Sequence, residues 1–328
     1  MGETSKTAQM AEFVSAEIFK YLGWERVGGT DVNWECVNDV HNRATHPADA
    51  VYQYLEPYQN KMTYVLCDFK SYAKSSITKS SIEEALKNLN DSLTCAKVSP
   101  DWSEKYRFTE KPSDVKAMLF IYNHDGEFQR DFSELLLSAT KKLSIDPGNI
   151  IYVMDPSKIL YFLNIALNMK LLRGEEEPKL PSIDKCGYFY PEMTNMNLFH
   201  DTSRLPLTIE TMGGSTHILR YGNEDGGDIV GLDVYTPIAG DNAGYFLYLL
   251  DYLRKYNCLQ ENKKVRIFMP FSCESASINL DRAKKIFTEN VDKDLKDKRD
   301  ANINYSHMHT IFSHQQFSLE IGMRSHHE

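Results

Sequence analysis

The chain has 328 residues, a length that suggests about two domains and allows a sizeable core. Hydrophobic residues make up 42% and charged residues 25%, the balance of an ordinary globular protein, which excludes disordered, collagen-like and fibrous chains. Lys plus Arg number 37 against 46 Asp plus Glu, a net charge of −9. A surface that wraps nucleic acid all round is thereby excluded, and any such contact must be a local basic groove or be shared with a partner subunit. No apolar run approaches the ~20 residues of a membrane helix. The N-terminal MGETSKTAQMAEF lacks the basic start and apolar stretch of a signal peptide, so a cytoplasmic protein is expected. The six cysteines, Cys36, Cys67, Cys95, Cys186, Cys258 and Cys273, lie far apart. With no C-x-x-C pair to hold zinc, they predict reduced, mostly buried thiols.

From Ala8 to Leu22, the residues Met10, Phe13, Val14, Ile18 and Tyr21 recur at the spacing of one helix face, and Gly23 ends the predicted helix. A short apolar piece follows around Val32 to Val37. Then HPADAVYQYL and KMTYVLCDFKSYA, rich in β-branched and aromatic residues and joined by the polar turn Glu56 to Asn60, predict a strand, a turn and a strand. Ser80 to Glu84 offers a Ser N-cap with a Glu in the capping-box place, opening a helix with Ile82, Ala85, Leu86 and Leu89 on one side. Next come a strand KAMLFIYNH, a helix from Phe128 to Leu143, a buried strand NIIYVMD and a helix from Ser157 to Leu172. The alternation implies a mixed α/β sheet with helices packed on it.

The acidic, proline-containing RGEEEPKLPSID reads as a linker near residue 180. It divides a first domain over residues 1–175 from a second α/β domain over residues 186–328. There the predicted order is LTIETM, THILRYG and DIVGLDVYTP as strands, a helix from Ala243 to Tyr256, the strand KKVRIFMPF and a helix from Ser275 to Glu289. Asp292 to Asp300 is a mixed charge run, read as a solvated helix face or loop. The histidines of the tail, His307, His309, His314, His326 and His327, have no spacing that fixes three of them as metal ligands.

The chemistry concentrates in CDFKSY. Side chains alternate along a strand, so Asp68 and Lys70 project from one face while Cys67 and Phe69 face the other way. Asp49 opens the preceding strand, and hairpin pairing brings it to the neighbourhood of Asp68. Glu17 falls inside the apolar stripe of the first helix, where a carboxylate is costly unless paired or bound to a cation. The plain alternatives are that Glu17 snorkels at the edge of the stripe or forms a salt bridge with Lys70, and that Asp68 and Lys70 are a salt bridge alone.

This order, an acid in a first helix, an acid at the start of one strand and D-x-K on the next, resembles the PD-(D/E)XK nuclease superfamily with its restriction-endonuclease-like fold. Asp49 matches the PD acid, Asp68 and Lys70 match the (D/E)-x-K, and Glu17 matches the acid that many members carry on the first helix. HPAD departs from the pattern by placing Ala48 between Pro47 and Asp49, and Asp68 stands where Glu is commoner. The resemblance covers roughly residues 8 to 155 and implies a mixed sheet flanked by helices, and an Mg²⁺- or Mn²⁺-dependent endonuclease acting on DNA. In that reading Asp49, Asp68, Glu17 and the Phe69 carbonyl hold the metal, and Asp49, Asp68 and Lys70 are catalytic. It further implies a component of bacterial restriction or anti-phage defence, working as a homo-oligomer or with a second protein subunit.

Downstream, Ser71, Tyr72, Lys74 and Lys79 form a loop rich in hydroxyls and lysines, the composition of a phosphate-tracking segment or of a solvated loop capped by serines. The second domain echoes the first at DIVGLDVYTP, with Asp233 and Tyr235 where Asp68 and Lys70 stand. It reads as a degenerate nuclease-like copy or as an unrelated accessory domain for substrate or partner binding. Neither GGS at Gly213 nor GNEDGGD gives a nucleotide-binding loop, and Ser272 and Cys273 lack a nucleophile elbow. A nuclease-fold subunit without catalysis, binding nucleic acid or scaffolding a partner, is the alternative function.

Overall fold

The apolar stripe near the N-terminus produces α1 (Gly2–Tyr21), which stops where Gly23 takes a φ of 78°, a conformation that glycine adopts without strain. The computed structural model describes residues 2–107, 111–191, 204–223, 229–256, 258–259, 263–289, 303–308 and 310–311, with side chains from residue 9 onward. After α1 come β1 (Glu25–Val27), β2 (Val32–Glu35), β3 (Thr45–Ala48), β4 (Ala50–Leu55), β5 (Met62–Tyr72), α2 (Lys79–Ala96) and α3 (Pro100–Tyr106). The chain continues through β6 (Ser113–Asn123), α4 (Phe132–Thr140), β7 (Ile151–Met154) and α5 (Pro156–Gly174). The five-stranded sheet runs β1-β4-β5-β6-β7, antiparallel through β5 and parallel beyond it.

Strand alternation divides the apolar residues between two layers. Tyr64 and Leu66 of β5 and Val115, Ala117, Leu119 and Ile121 of β6 join Ile82, Leu86 and Leu89 of α2 in one core. On the opposite face Phe19 of α1 meets Tyr52 of β4 and Phe120 of β6 edge to face, at 4.7 and 6.0 Å between ring centroids. Aromatic edges against faces are a favoured packing of the ring quadrupoles.

Several elements differ from the sequence reading. HPADAVYQYL is two strands in two sheets, because Thr45–Ala48 pairs with β2 in a separate hairpin and the chain bends at Asp49 before β4 begins. The cap of α2 is Thr78, not Ser80: its hydroxyl accepts from the Ser81 amide at 3.2 Å, and the Ser81 hydroxyl accepts from the Thr78 amide at 3.0 Å. The helix expected from Phe128 starts at Phe132, where the Asp131 carboxylate accepts from the Ser133 amide. The Phe128 amide goes instead to Asn123 Oδ1 at 3.0 Å.

The chain divides into two compact units, one of residues 1–163 joined by the segment from Ile311 and one of residues 164–310. The division falls inside α5, earlier in the chain than the expected linker. The second unit holds β8 (Cys186–Tyr188), β9 (His217–Tyr221), β10 (Gly231–Tyr235), α6 (Ala243–Lys255), β11 (Lys264–Phe268), α7 (Ala276–Glu289) and β12 (Ile303–Tyr305). Its sheet runs β8-β9-β10-β11-β12, antiparallel through β10 and parallel beyond. The expected strand LTIETM is a turn followed by a 3-10 turn at Thr211–Gly213. There the Thr208 amide donates to the Tyr190 hydroxyl and the Thr211 amide to the Thr208 hydroxyl, so side chains take the place of a neighbouring strand. The Asp292 to Asp300 run and His309, His314, His326 and His327 lie outside the described residues. Among the described residues no helix is long and apolar enough to cross a membrane.

Candidate active site

β5 outruns β4. The β4–β5 pairing begins at Ala50 opposite Cys67, and one step further along the same register Asp49 stands opposite Asp68. Across the strand, β6 stays paired with β5 through Tyr72, so Asp68, Phe69 and Lys70 are held rigidly on one side and left open on the other. Into that opening the bend at Asp49 turns its carboxylate, which accepts the Phe69 amide at 2.6 Å. The N–H and C=O of one strand residue point to the same side, so the Phe69 carbonyl is directed toward Asp49 as well.

Asp68 and Lys70 continue the row of Tyr64 and Leu66 on the α2 face, and the Lys70 ammonium lies 2.5 Å from Asp68 Oδ1. Burial, then the Asp68 charge beside it, pushes the Asp49 carboxyl up to about 6, against the pull of the Phe69 amide and of Lys70. Burial alone would lower Lys70, but the Asp68 carboxylate outweighs it and holds the ammonium above its ordinary range. Two carboxylates facing each other across a strand gap, one of them resisting ionisation, form a site that a hard divalent cation with oxygen ligands would relieve. The donor set of two carboxylates and a strand carbonyl fits such a cation.

Asp49, Asp68 and Lys70 are therefore brought together. Glu17 is half-buried on α1, which packs on the Phe69 face of the sheet, opposite to that of Asp68. Asp31, which the sequence reading passed over, adds its charge to the rise at Asp49. It is exposed in a turn with φ of 52°, and its amide donates to the Asp49 carbonyl at 3.3 Å. Only its place beside Asp49, across a gap in the chain, marks it. His46 is fully buried, stacked on Trp34.

Of the four residues expected in one loop, Ser71 and Tyr72 instead end β5, paired with β6, and Lys79 opens α2; Tyr72 packs partly against the α2 core, and burial raises its hydroxyl pKa. Ser71 alternates to the Phe69 face with its hydroxyl buried. Lys74 and Lys79 are exposed, and Lys74, Ile77, Thr78, Asp125, Phe128 and Arg130 line an open groove of ≈ 360 Å³. The Thr78, Ser80 and Ser81 hydroxyls are engaged with one another at the helix cap.

No curated protein matches the chain. Residues 1–158 match the family described as the GAPS4 protein PD-(D/E)XK nuclease domain. That span takes in every element that positions Asp49, Asp68 and Lys70, from α1 through β7, so the likeness to PD-(D/E)XK nucleases is that of this N-terminal domain.

Proposed function

We propose that the first unit is a divalent-metal-dependent endonuclease that hydrolyses phosphodiester bonds of DNA. The observation that carries this reading is the Asp49–Asp68 pair, held across the open edge of β5 with Lys70 ion-paired beside it. Asp49, Asp68 and the Phe69 carbonyl would hold Mg²⁺ or Mn²⁺, with Glu17, from the helix on the other face, as an outer member of the set. When bound, such a cation lowers the pKa of water and neutralises charge on the phosphate.

The chain's own residues supply the rest. Phe69 fixes the Asp49 carboxylate through its amide, so one oxygen is committed to the backbone and the other is left to face Asp68. Lys70, kept protonated by Asp68, acts as a cation that positions the attacking water and stabilises the phosphate charge; an ammonium so held is a poor general base. Tyr72 ends the active strand, Lys74 and Lys79 follow it, and all three would meet the DNA backbone beyond the cut. A net charge of −9 supports a second copy or second protein subunit that supplies basic surface, as a cytoplasmic component of anti-phage defence would use.

The test is cleavage of supercoiled and linear DNA with Mg²⁺ or Mn²⁺ against EDTA, comparing the purified protein with Lys70→Ala. Metal-dependent cutting that the variant lacks is the expected result. Silence in both, with the protein folded and its native partner added back, would favour the non-catalytic scaffold.

A further inference from the structure

We propose that Cys36, His41, His46 and Cys95 form a structural Zn²⁺ site that fastens the β2–β3 hairpin to α2. The four residues come from separate elements. Cys36 follows β2, His41 ends the 3-10 turn Asp39–His41 at the tip of the hairpin, His46 lies in β3 and Cys95 in the last turn of α2. Their donor atoms lie within 4.8 Å of one another.

Around a tetrahedral zinc with bonds of ~2.3 Å to sulfur and ~2.0 Å to nitrogen, two sulfurs stand ~3.8 Å apart and a sulfur and a nitrogen ~3.5 Å. The Cys36 and Cys95 sulfurs are 3.7 Å apart, and His41 Nδ1 lies 3.6 Å from the first and 3.3 Å from the second. Three corners of the tetrahedron are thus already at ligand spacing. His46 supplies the fourth. Its Nδ1 is engaged by the Ser92 hydroxyl at 3.1 Å, while its Nε2, fully buried, finds no hydrogen-bond partner among the described residues. A buried ring nitrogen left without a partner is costly, and a metal bond would satisfy it.

The surroundings match a zinc site beyond its ligands. The outer nitrogen of His41 is directed toward the Asp91 carboxylate, 4.0 Å away, and Ser92 orients His46, the kind of support that ligating histidines use. Two soft sulfurs with two imidazoles select Zn²⁺ over Mg²⁺ or Ca²⁺, and four protein ligands leave no open position, which makes the site structural and not catalytic. Binding would release the two thiol protons to solvent. The sequence hides the set because Cys36, His41 and His46 recur every five residues while the last ligand waits until Cys95, so no C-x-x-C pair announces it. This inference does not depend on the nuclease reading. It does bear on it, since His46 lies three residues before Asp49 in the strand that leads to the bend.

The test uses the full chain purified under reducing conditions, measuring metal by mass spectrometry and the visible spectrum after exchange with Co²⁺. One zinc per chain is expected, with a thiolate-to-cobalt charge-transfer band and the d–d bands of tetrahedral cobalt. Cys36→Ser, at the half-exposed ligand, should lose the zinc or weaken its retention and alter both sets of bands, while Asp49→Asn should keep the zinc at one per chain. A strong chelator should lower the melting temperature of the wild type. Folded wild-type protein that takes up cobalt without a charge-transfer band would overturn the proposal. So would zinc retained in Cys36→Ser but lost in Asp49→Asn.

Discussion

The two units share one topology and differ in what they place on it. In the first, α1 precedes a three-strand antiparallel run β1-β4-β5, then α2, parallel β6, α4 and parallel β7. In the second, the later part of α5 precedes β8-β9-β10, then α6, parallel β11, α7 and parallel β12. The strand carrying Asp68 in one and Asp233 in the other holds the same central place. The faces are opposite, however. Asp68 lies in the row of Tyr64 and Leu66 that looks toward α2, whereas the row of β10 that looks toward α6 and α7 is Leu232 and Val234. Asp233 and Tyr235 point to the other side, where the Tyr235 hydroxyl donates to Asn168 of α5 at 2.9 Å. A shift of one residue along a strand exchanges its faces, so the Asp233 motif echoes Asp68 in sequence and not in position. No acid stands across from it either, since its antiparallel partner is Leu219. The strand order is repeated, and the paired acids are confined to the copy whose acid faces the open end of a neighbouring strand.

Each acid has a different fate, which exchange of its partner exposes. Asp233 is fully buried and held by Arg266 through two bonds of 2.6 and 2.8 Å, the guanidinium lying over the Tyr221 ring at 5.2 Å. Arg266→Ala leaves that carboxylate buried without its hydrogen-bonded partner, and should cost about 3–5 kcal/mol, read as a lower denaturant midpoint for the second unit. Asp68→Asn should do the reverse. Its pairing with Lys70 is partly exposed, so the loss of stability should stay within about 1 kcal/mol, while metal-dependent cleavage should fall on the order of 10²-fold or more. If Arg266→Ala is tolerated and Asp68→Asn unfolds the protein, the assignment of structure to one acid and chemistry to the other fails.

How far the sequence disclosed this follows from the range of the interactions involved. The D-x-K strand, the helices around it and the pairing of Asp49 with Asp68 rest on local alternation and one short turn, and could be read from spacing. The three-residue strands β1, β8 and β12 could not, because so few residues establish no period. The seven-residue α3 went unread although Ser99 caps it and Pro100 opens it, since its buried Trp102 and Tyr106 are too few to show a stripe. The face of Asp233 also escaped: motif matching compares residue order, whereas the side a strand residue takes depends on where its pairing begins. Asp31 and the Cys36–Cys95 cluster depend on contacts between distant segments, which no local pattern encodes.

Asp49 allows a subtler contrast, between a residue kept for the fold and one kept in spite of it. Its carboxyl is raised from an ordinary 3.8 to about 6 by burial and by Asp68, so between those values the native state holds its proton more firmly than the unfolded chain does. Stability from this group therefore falls as pH rises through that window, and above it the ionised carboxylate is a standing cost. Asp49→Asn keeps an oxygen to accept the Phe69 amide and removes the charge. In EDTA the variant should melt higher than the wild type at pH 8 and show no such gain near pH 4. Adding Mg²⁺ should then raise the wild type's melting temperature and leave the variant's unmoved, as expected of a ligand that binds only the native wild-type site. A variant less stable at pH 8 would mean that the pair is not strained in the way its geometry implies.

The smallest expected difference lies in the connections that follow the two central strands. After β5 the chain carries Lys74 and Lys79, both exposed, before and at the start of α2; after β10 it carries Thr236 to Asn242, with Asp241 and no lysine. If the first connection tracks a DNA backbone, each lysine neutralises about one phosphate, and Lys74→Ala or Lys79→Ala should reduce the slope of log affinity against log salt by about 1 without changing sequence preference. Asp241→Ala should leave the slope where it is. The groove beside Lys74 also holds Asp125, whose carboxylate accepts the Lys74 amide at 2.8 Å and so lies close to any phosphate that the Lys74 side chain would draw in. That neighbour limits what Lys74 can contribute, and Lys79, the first residue of α2 and outside the groove, should show the larger change of the two. Equal, negligible changes at both lysines would place the DNA path elsewhere on the first unit, or on a partner subunit that supplies the missing positive charge.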